Sequence, residues 1–163
     1  MNNKDDIIFV VEDDEMYSMM LEYKLKKYCD GIIKRFSSGE DCINNMYLNP
    51  SLIVLDYQLP NINGLETLKQ IKKNNPETAV VTLTNNNDIN VKKQLLDAGI
   101  DMHFQKSKDT YDEICKTLNY LLVVVRSKKD QKEKIHSYVL ITTLIALMLI
   151  LYFSLINKIK IIP

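Results

Sequence analysis

The sequence predicts an α/β fold: a five-stranded parallel sheet with helices on both faces, followed by a C-terminal helix long enough to cross a bilayer. Three observations carry this. Five short apolar runs alternate strictly with segments of helical periodicity, which is the pattern of a parallel sheet built from right-handed crossovers. The central run, LIVLD at 52–56, is apolar at four successive positions, as a strand buried on both faces requires. Near the C-terminus, residues 137–157 carry no charge at all.

A chain of 163 residues holds one domain of ordinary size and a short appendage. Its zero net charge conceals an asymmetry: residues 1–125 hold nineteen acids and fourteen bases, and residues 126–163 hold seven bases and two acids. Cys29, Cys42 and Cys115 are widely spaced and form no C-x-x-C pair, so a zinc centre or a disulfide framework is not expected and buried, reduced thiols are. No apolar run near Met1 is long enough for a signal peptide, which keeps the start of the chain in the cytosol.

Taken in order, Ile7–Val11 is the first strand, ending in Glu12, Asp13, Asp14 and Glu15. The acids also suit the first turn of a helix starting near Asp14, with Met16, Met19, Met20, Tyr23, Leu25 and Tyr28 at helical spacing. After Gly31 comes a second strand, Ile32–Phe36, and Ser37 with Glu40 forms a capping box for a helix running toward Tyr47. Pro50 precedes the strand that ends at Asp56, and Pro60 and Gly64 break regular structure beyond it. Leu65, Leu68, Ile71 and Lys72 mark a helix that stops near Asn74, Asn75 and Pro76. The fourth run, 79–83, ends at Thr84 and leads through Asn85, Asn86, Asn87 and Asp88 to a helix bearing Val91, Leu95 and Leu96, closed by Gly99. Met102–Gln105 is a fifth, weaker strand with Lys106 at its end. A cap near Asp109 and Thr110 opens a last domain helix with Tyr111, Ile114, Cys115, Leu118, Leu121 and Leu122.

Chemistry in open parallel sheets collects beyond the carboxyl ends of the strands. Those ends carry Glu12 with Asp13, then Asp56, Thr84 and Lys106. Crowded carboxylates call for a hard divalent cation, for which Mg²⁺ is the natural occupant, and a hydroxyl with an ammonium suits the oxygens of a phosphoryl group.

In this combination the chain resembles the receiver domains of two-component response regulators across about three quarters of its length. The resemblance rests on the acid pair in VVED, on D-x-x-x-P-x-x-x-G at Asp56, Pro60 and Gly64, on Thr84 in L-T, on Asp97, Ala98 and Gly99, and on Lys106. It implies a flavodoxin-like sheet of order 2-1-3-4-5 and a phosphoryl group taken by Asp56 from a phosphohistidine on a sensor histidine kinase or histidine phosphotransferase. It further implies Mg²⁺ held by Asp13, Asp56 and the backbone carbonyl of Gln58, with Glu12 binding through water, Lys106 paired to a phosphoryl oxygen, and Thr84 moving inward as the switch. Such a protein catalyses only its own phosphorylation and dephosphorylation and is not an enzyme acting on other substrates.

Three departures stand out. Ser107 replaces the proline usual after the lysine, and Asn85 replaces the small residue usual after the switch threonine, from which a long-lived phosphoryl group is expected. His103 occupies the position of the switch aromatic, either swinging inward with the switch or lying as a surface histidine while Phe104 packs.

At about 1.5 Å per residue, residues 137–157 span about 30 Å, the hydrocarbon thickness of a bilayer. They are apolar on every face, unlike a buried or oligomerising helix that keeps a polar stripe. Arg126, Lys128, Lys129, Lys132 and Lys134 precede the span and only Lys158 and Lys160 follow it, so the positive-inside rule keeps the receiver in the cytoplasm. Tyr138 and Tyr152 are suited to the two interfaces. The expected organisation is a receiver at 1–125, a basic juxtamembrane linker at 126–136, a single span at 137–157 and a short tail at 158–163, tail-anchored in the cell membrane. A continuous helix from receiver to membrane and a hinge near Ser127 are both compatible with the sequence, and so is a homodimer.

No output domain is expected, and no nucleic-acid contact. The function that follows is a membrane-tethered, stand-alone receiver in a phosphorelay, acting through a partner protein. The alternative is a non-phosphorylated adaptor that docks a partner at the membrane, which retention of all five site residues disfavours. A phosphohydrolase would want a second acid two residues after Asp56, where Gln58 stands.

Overall fold

The computed structural model of the chain describes residues 6–85, 89–106 and 111–159, with side chains except those of 111–113 and 152–159. Asn86, Asn87, Asp88, Ser107, the cap expected at Asp109 and Thr110, the side chains of Tyr111, Tyr152 and Lys158, and Lys160 lie outside the described residues. Five strands, β1 (Ile7–Val11), β2 (Ile32–Phe36), β3 (Leu52–Asp56), β4 (Ala79–Thr84) and β5 (Met102–Gln105), form one parallel sheet of order β2-β1-β3-β4-β5. The helices are α1 (Glu15–Leu25), α2 (Gly39–Asn44), α3 (Gly64–Asn74), α4 (Ile89–Asp97) and α5 (Tyr111–Ile159), with one 3₁₀ turn at Met46–Leu48. This is the flavodoxin-like arrangement, with β1 and β3 side by side at its centre.

Strand alternation divides the core in two. Ile8, Val10, Leu52, Val54, Val81 and Leu83 point to one face, where α1 supplies Leu21 and Leu25 and α5 supplies Ile114, Cys115, Leu118 and Leu122. Phe9, Val11, Ile53, Leu55 and Val80 point to the other, against Cys42 of α2, Leu68 and Ile71 of α3, and Val91 and Leu95 of α4. Each such side chain stabilises the fold by roughly 1.5–3 kcal/mol through loss of apolar surface to water. Every residue of β3 and β4 is buried, which is why both are predominantly apolar, with Thr82 a buried hydroxyl within β4. All three cysteines are buried and form no disulfide among the described residues, and burial pushes the Cys42 thiol up to about 12.

The helix ends follow their local chemistry. Asp14 caps α1 by accepting the Tyr17 N–H at 3.0 Å, and Asn63 caps α3 by accepting that of Glu66 at 3.0 Å. Gly99, at φ +89°, closes α4 in the left-handed region as its sequence position suggests. Lys72 at the end of α3 reaches across to Asp101 and to the Thr78 carbonyl, each at 2.9 Å.

Three sequence expectations need correction. The cap of α2 is Ser38, whose hydroxyl accepts the Asp41 N–H at 3.2 Å and donates to the Asp41 carboxylate at 2.9 Å; Ser37 with Glu40 does not form it. Both serines fit the local rule, and the extended backbone at Ser38 selects the second. The α2 helix also stops at Asn44, so Tyr47 falls in the separate 3₁₀ turn and is exposed. In α1 the inward positions are Ser18, Leu21 and Leu25, whereas Met16 (79 % exposed), Met19, Met20 and Tyr23 (62 % exposed) face solvent. Apolar residues surround much of that helix, so periodicity alone did not fix its inner stripe; the cap at Asp14 sets the phase. On α4, Leu96 is likewise exposed beside the buried Leu95.

The chain divides into two compact units, Met1–Val125 and Arg126–Pro163. In the second, residues 127–151 are exposed throughout. Among the described residues one helix, over Ile114–Leu151, is long and apolar enough to cross a membrane, and its most apolar stretch is wholly unburied. Thr142 and Thr143 donate their hydroxyls to the carbonyls of Val139 and Leu140 at 2.9 and 2.8 Å, leaving no side-chain donor of theirs to be met by lipid.

The tightest backbone approach near β3 is at Gly64, where a Cβ would stand 2.2 Å from the Asp56 carbonyl oxygen and 2.7 Å from the Tyr57 Cα. Backbone cannot yield as a side chain does. Gly64→Ala is expected to lower receiver stability by about 1–3 kcal/mol, while Tyr47→Ala at an exposed position stays within about 0.5 kcal/mol of wild type. Denaturation midpoints of the full chain in detergent check both.

Candidate functional site

The sheet brings the carboxyl ends of β1, β3, β4 and β5 together, and the polar residues there follow from where each strand runs out. Glu12 follows β1 and is 4 % exposed, with its N–H donating to the Phe36 carbonyl at 2.9 Å. Asp13 follows it and is exposed, and Asp14 turns away to cap α1. Asp56 is the last residue of β3, 4 % exposed, held where the Tyr57 N–H donates to the Leu83 carbonyl and the Gly64 N–H to the Tyr57 carbonyl. Thr84 ends β4 fully buried, and its carbonyl accepts the Lys106 N–H at 2.9 Å. That bond fixes the start of the lysine side chain beside the acids.

The Lys106 ammonium lies 2.6 Å from Glu12 Oε2 and 2.8 Å from Asp56 Oδ2. Carboxylate oxygens of Glu12, Asp13 and Asp56 all lie within 4.8 Å of one another. With every group ionised, three carboxylates face one ammonium, an excess of two negative charges. Asp56 Oδ2 is bound by Lys106, whereas its Oδ1 is buried with no hydrogen-bond partner among the described residues. A dication meets both conditions: it balances the excess charge and supplies a partner for an orphaned oxygen, and a set of hard oxygen donors suits Mg²⁺. The residues present therefore fit the metal.

Burial is the main cause of a raised Glu12 pKa, pushed up to about 7; the hydrogen bond from Lys106 opposes the rise and the Asp56 charge adds to it. Burial works against the Lys106 ammonium too, but hydrogen bonds to Asp56 and Glu12 and the charges of both outweigh it, holding the lysine above its ordinary range. The two shifts pull opposite ways on one pair. Burial is the larger influence on Glu12, so its carboxyl is held above the usual carboxylate range even with Lys106 2.6 Å away.

Gln58 is exposed two residues beyond Asp56, in the loop before α3. His103 sits beside Thr82 in the β4–β5 pairing, half-buried, with its Nδ1 2.9 Å from the Thr82 hydroxyl. Burial and the Lys92 charge lower its pKa, so the ring is neutral at pH 7. Phe104 packs on the core face shared by α1 and α5. Two contacts escaped the sequence reading. The Thr82–His103 bond needed the strand register, and Lys106 lies over the Tyr17 ring, 4.6 Å from its centroid. The signal for the second was present: Tyr17 is three residues past the Asp14 cap and so opens the first turn beside the acids.

Glu12 gives the site a pH signature. Its folded-state pKa is raised, so between about pH 4.5 and 7 the folded protein holds a proton that the unfolded chain releases, and stability falls as pH rises through that window. Without divalent cations, wild type is expected to lose thermal stability between about pH 5 and 7.5, and Glu12→Gln, which cannot ionise, to lose less. The raised lysine adds no slope there, because its stabilisation is lost only above its ordinary range.

Residues 8–119 match the family described as the response regulator receiver domain. The response regulator protein VraR of Staphylococcus saprophyticus is 28% identical over 141 residues, covering 79% of this chain and 68% of the relative. The transcriptional activator protein ExaE of Pseudomonas putida is 29% identical over 94 residues, 56% of this chain and 44% of the relative. Among solved structures, the BeF3-activated receiver domain of DrrB, a Thermotoga maritima protein, is 30% identical with a TM-score of 0.65, over 71% of this chain and 96% of that one. The match to ExaE covers less than half of that relative. With its fold, its acid-lined strand ends and the match across most of its length in agreement, this chain belongs to the response regulator receiver domain family of two-component signalling.

Proposed function

We propose that the chain is a membrane-tethered receiver that accepts a phosphoryl group on Asp56 from a phosphohistidine of a sensor histidine kinase or histidine phosphotransferase and signals through a separate protein. The observation that carries this is the setting of Asp56: Oδ2 is engaged by Lys106 at 2.8 Å, and Oδ1 is buried with no hydrogen-bond partner among the described residues. A carboxylate oxygen of Asp56 is the nucleophile. It bonds to phosphorus as the P–N bond to the donor imidazole breaks, and the imidazole leaves with the bonding electron pair and takes up a proton. Lys106 then meets a phosphoryl oxygen, and the Thr84 hydroxyl, at the end of the neighbouring strand, meets another. Asp13, Asp56 and the Gln58 carbonyl, with Glu12 through water, would hold Mg²⁺, which when bound supplies neutralisation of charge on the transferring oxygens. His103 shares the switch with Thr84. Asn85, exposed past β4, slows loss of the phosphoryl group.

We assign residues 1–125 to the receiver, 126–136 to a basic juxtamembrane linker, 137–157 to a single membrane span and 158–163 to a tail. Support comes from the exposure of residues 137–151, from the absence of charge across 137–157 and from the five bases before that stretch, which by the positive-inside rule favour a receiver on the cytoplasmic side of the cell membrane.

Incubation of the full chain with acetyl phosphate and Mg²⁺ is expected to give a hydroxylamine-sensitive phosphate on wild type and none on Asp56→Asn; an unlabelled wild type ends the proposal. Removing residues 137–163 should move the protein from the membrane pellet to the supernatant on fractionation, and continued sedimentation with membranes contradicts the span.

A further inference from the structure

Glu12 and Asp56 do not complete the surroundings of the Lys106 ammonium. Its three N–H donors have two carboxylate oxygens within 2.8 Å, and a third side is covered by the ring of Tyr17, with the centroid 4.6 Å from Nζ. Lys106 is left with a side chain only 9% exposed. The ring is itself held: the Tyr17 N–H donates to the Asp14 carboxylate that caps α1, and the side chain packs partly buried against the core face shared by α1 and α5.

We propose that Tyr17 is a positioning residue for Lys106, its ring face keeping the ammonium at the Asp56 carboxylate while the lysine passes from its carboxylate partners to a phosphoryl oxygen; this rests on the reading of Asp56 as phosphoacceptor. A lysine head is a point charge on a flexible four-carbon stem, and Glu12 competes with Asp56 for it at close range. The attraction of a cation to a ring face holds anywhere within about 6 Å of the centroid. It therefore persists through a small sideways shift that breaks a directional hydrogen bond. The acidic turn after β1 thus has two separate tasks: Glu12 and Asp13 face the site, and Asp14 sets the helix phase that brings an aromatic ring over the lysine.

The test uses the full chain in detergent micelles, isotopically labelled at lysine, with Tyr17→Phe keeping the ring and Tyr17→Leu and Tyr17→Met removing it. The Lys106 ε-methylene protons, assigned by their loss in Lys106→Ala, should resonate upfield in wild type and Tyr17→Phe and return to the ordinary lysine position in the ring-free variants. The initial rate of acetyl phosphate labelling should fall about fivefold in the ring-free variants and stay near wild type in Tyr17→Phe. In a Lys106→Ala background the same loss of the ring should change the residual rate little. An unshifted Lys106 resonance in wild type, a wild-type labelling rate in Tyr17→Leu, or an equal loss with and without Lys106 overturns the proposal. If wild type takes no label at all, the phosphoacceptor reading fails and the Lys106 resonance alone decides whether Tyr17 places the lysine.

Discussion

One buried ammonium organises the receiver. Lys106 lies between Glu12 and Asp56 at 2.6 and 2.8 Å, and each of the three comes from a different strand end. Charges so far from water are tolerated only when they are paired closely, and removing one partner of such a pair typically costs about 3–5 kcal/mol. The sheet therefore has to deliver its strand ends to within fractions of an ångström. The parallel registers do this for β1, β3 and β4, and the Lys106 N–H bonded to the Thr84 carbonyl does it for the end of β5. The same crowding leaves more negative charge than one lysine can balance. The receiver is thereby stable enough to fold and still electrostatically incomplete, which is what the proposed phosphoryl acceptance with a divalent cation calls for.

Much of this was legible in the sequence, for reasons that can be named. A strand buried on both faces betrays itself as an apolar run, and a polar residue that ends such a run is placed at the sheet edge without further information, as Asp56 is. The acids were accessible for that reason, whereas Lys106 follows the weaker, half-buried β5. What escaped depended on phase or register. The inner face of α1 is set by its cap and not by an apolar stripe, so Met16 and Tyr23 were misplaced and the approach of Tyr17 to Lys106 went unseen. Ser37 and Ser38 satisfy the same local rule, and only the backbone conformation separates them. The Thr82–His103 bond joins residues twenty-one positions apart and exists only once β4 and β5 are aligned.

In the proposed arrangement a receiver on a membrane span meets its partners by diffusion in two dimensions. Signal strength then depends on which partners share the bilayer and less on their concentration in solution. The linker, with five bases against two acids, would also hold the receiver close to an anionic lipid surface, an attraction that salt screens within about a Debye length.

The cysteines have a consequence of their own. Cys29, Cys42 and Cys115 are all buried and in no disulfide among the described residues, and the Cys42 thiol is driven far from the thiolate form that reacts. The folded receiver should therefore be insensitive to thiol-directed reagents, its cysteines out of reach of shifts in cellular thiol balance. For the same reason a cysteine engineered at an exposed position such as Tyr23 or Tyr47 would be the most reactive thiol in the protein, open to a fluorophore or a cross-linker without first removing the native ones.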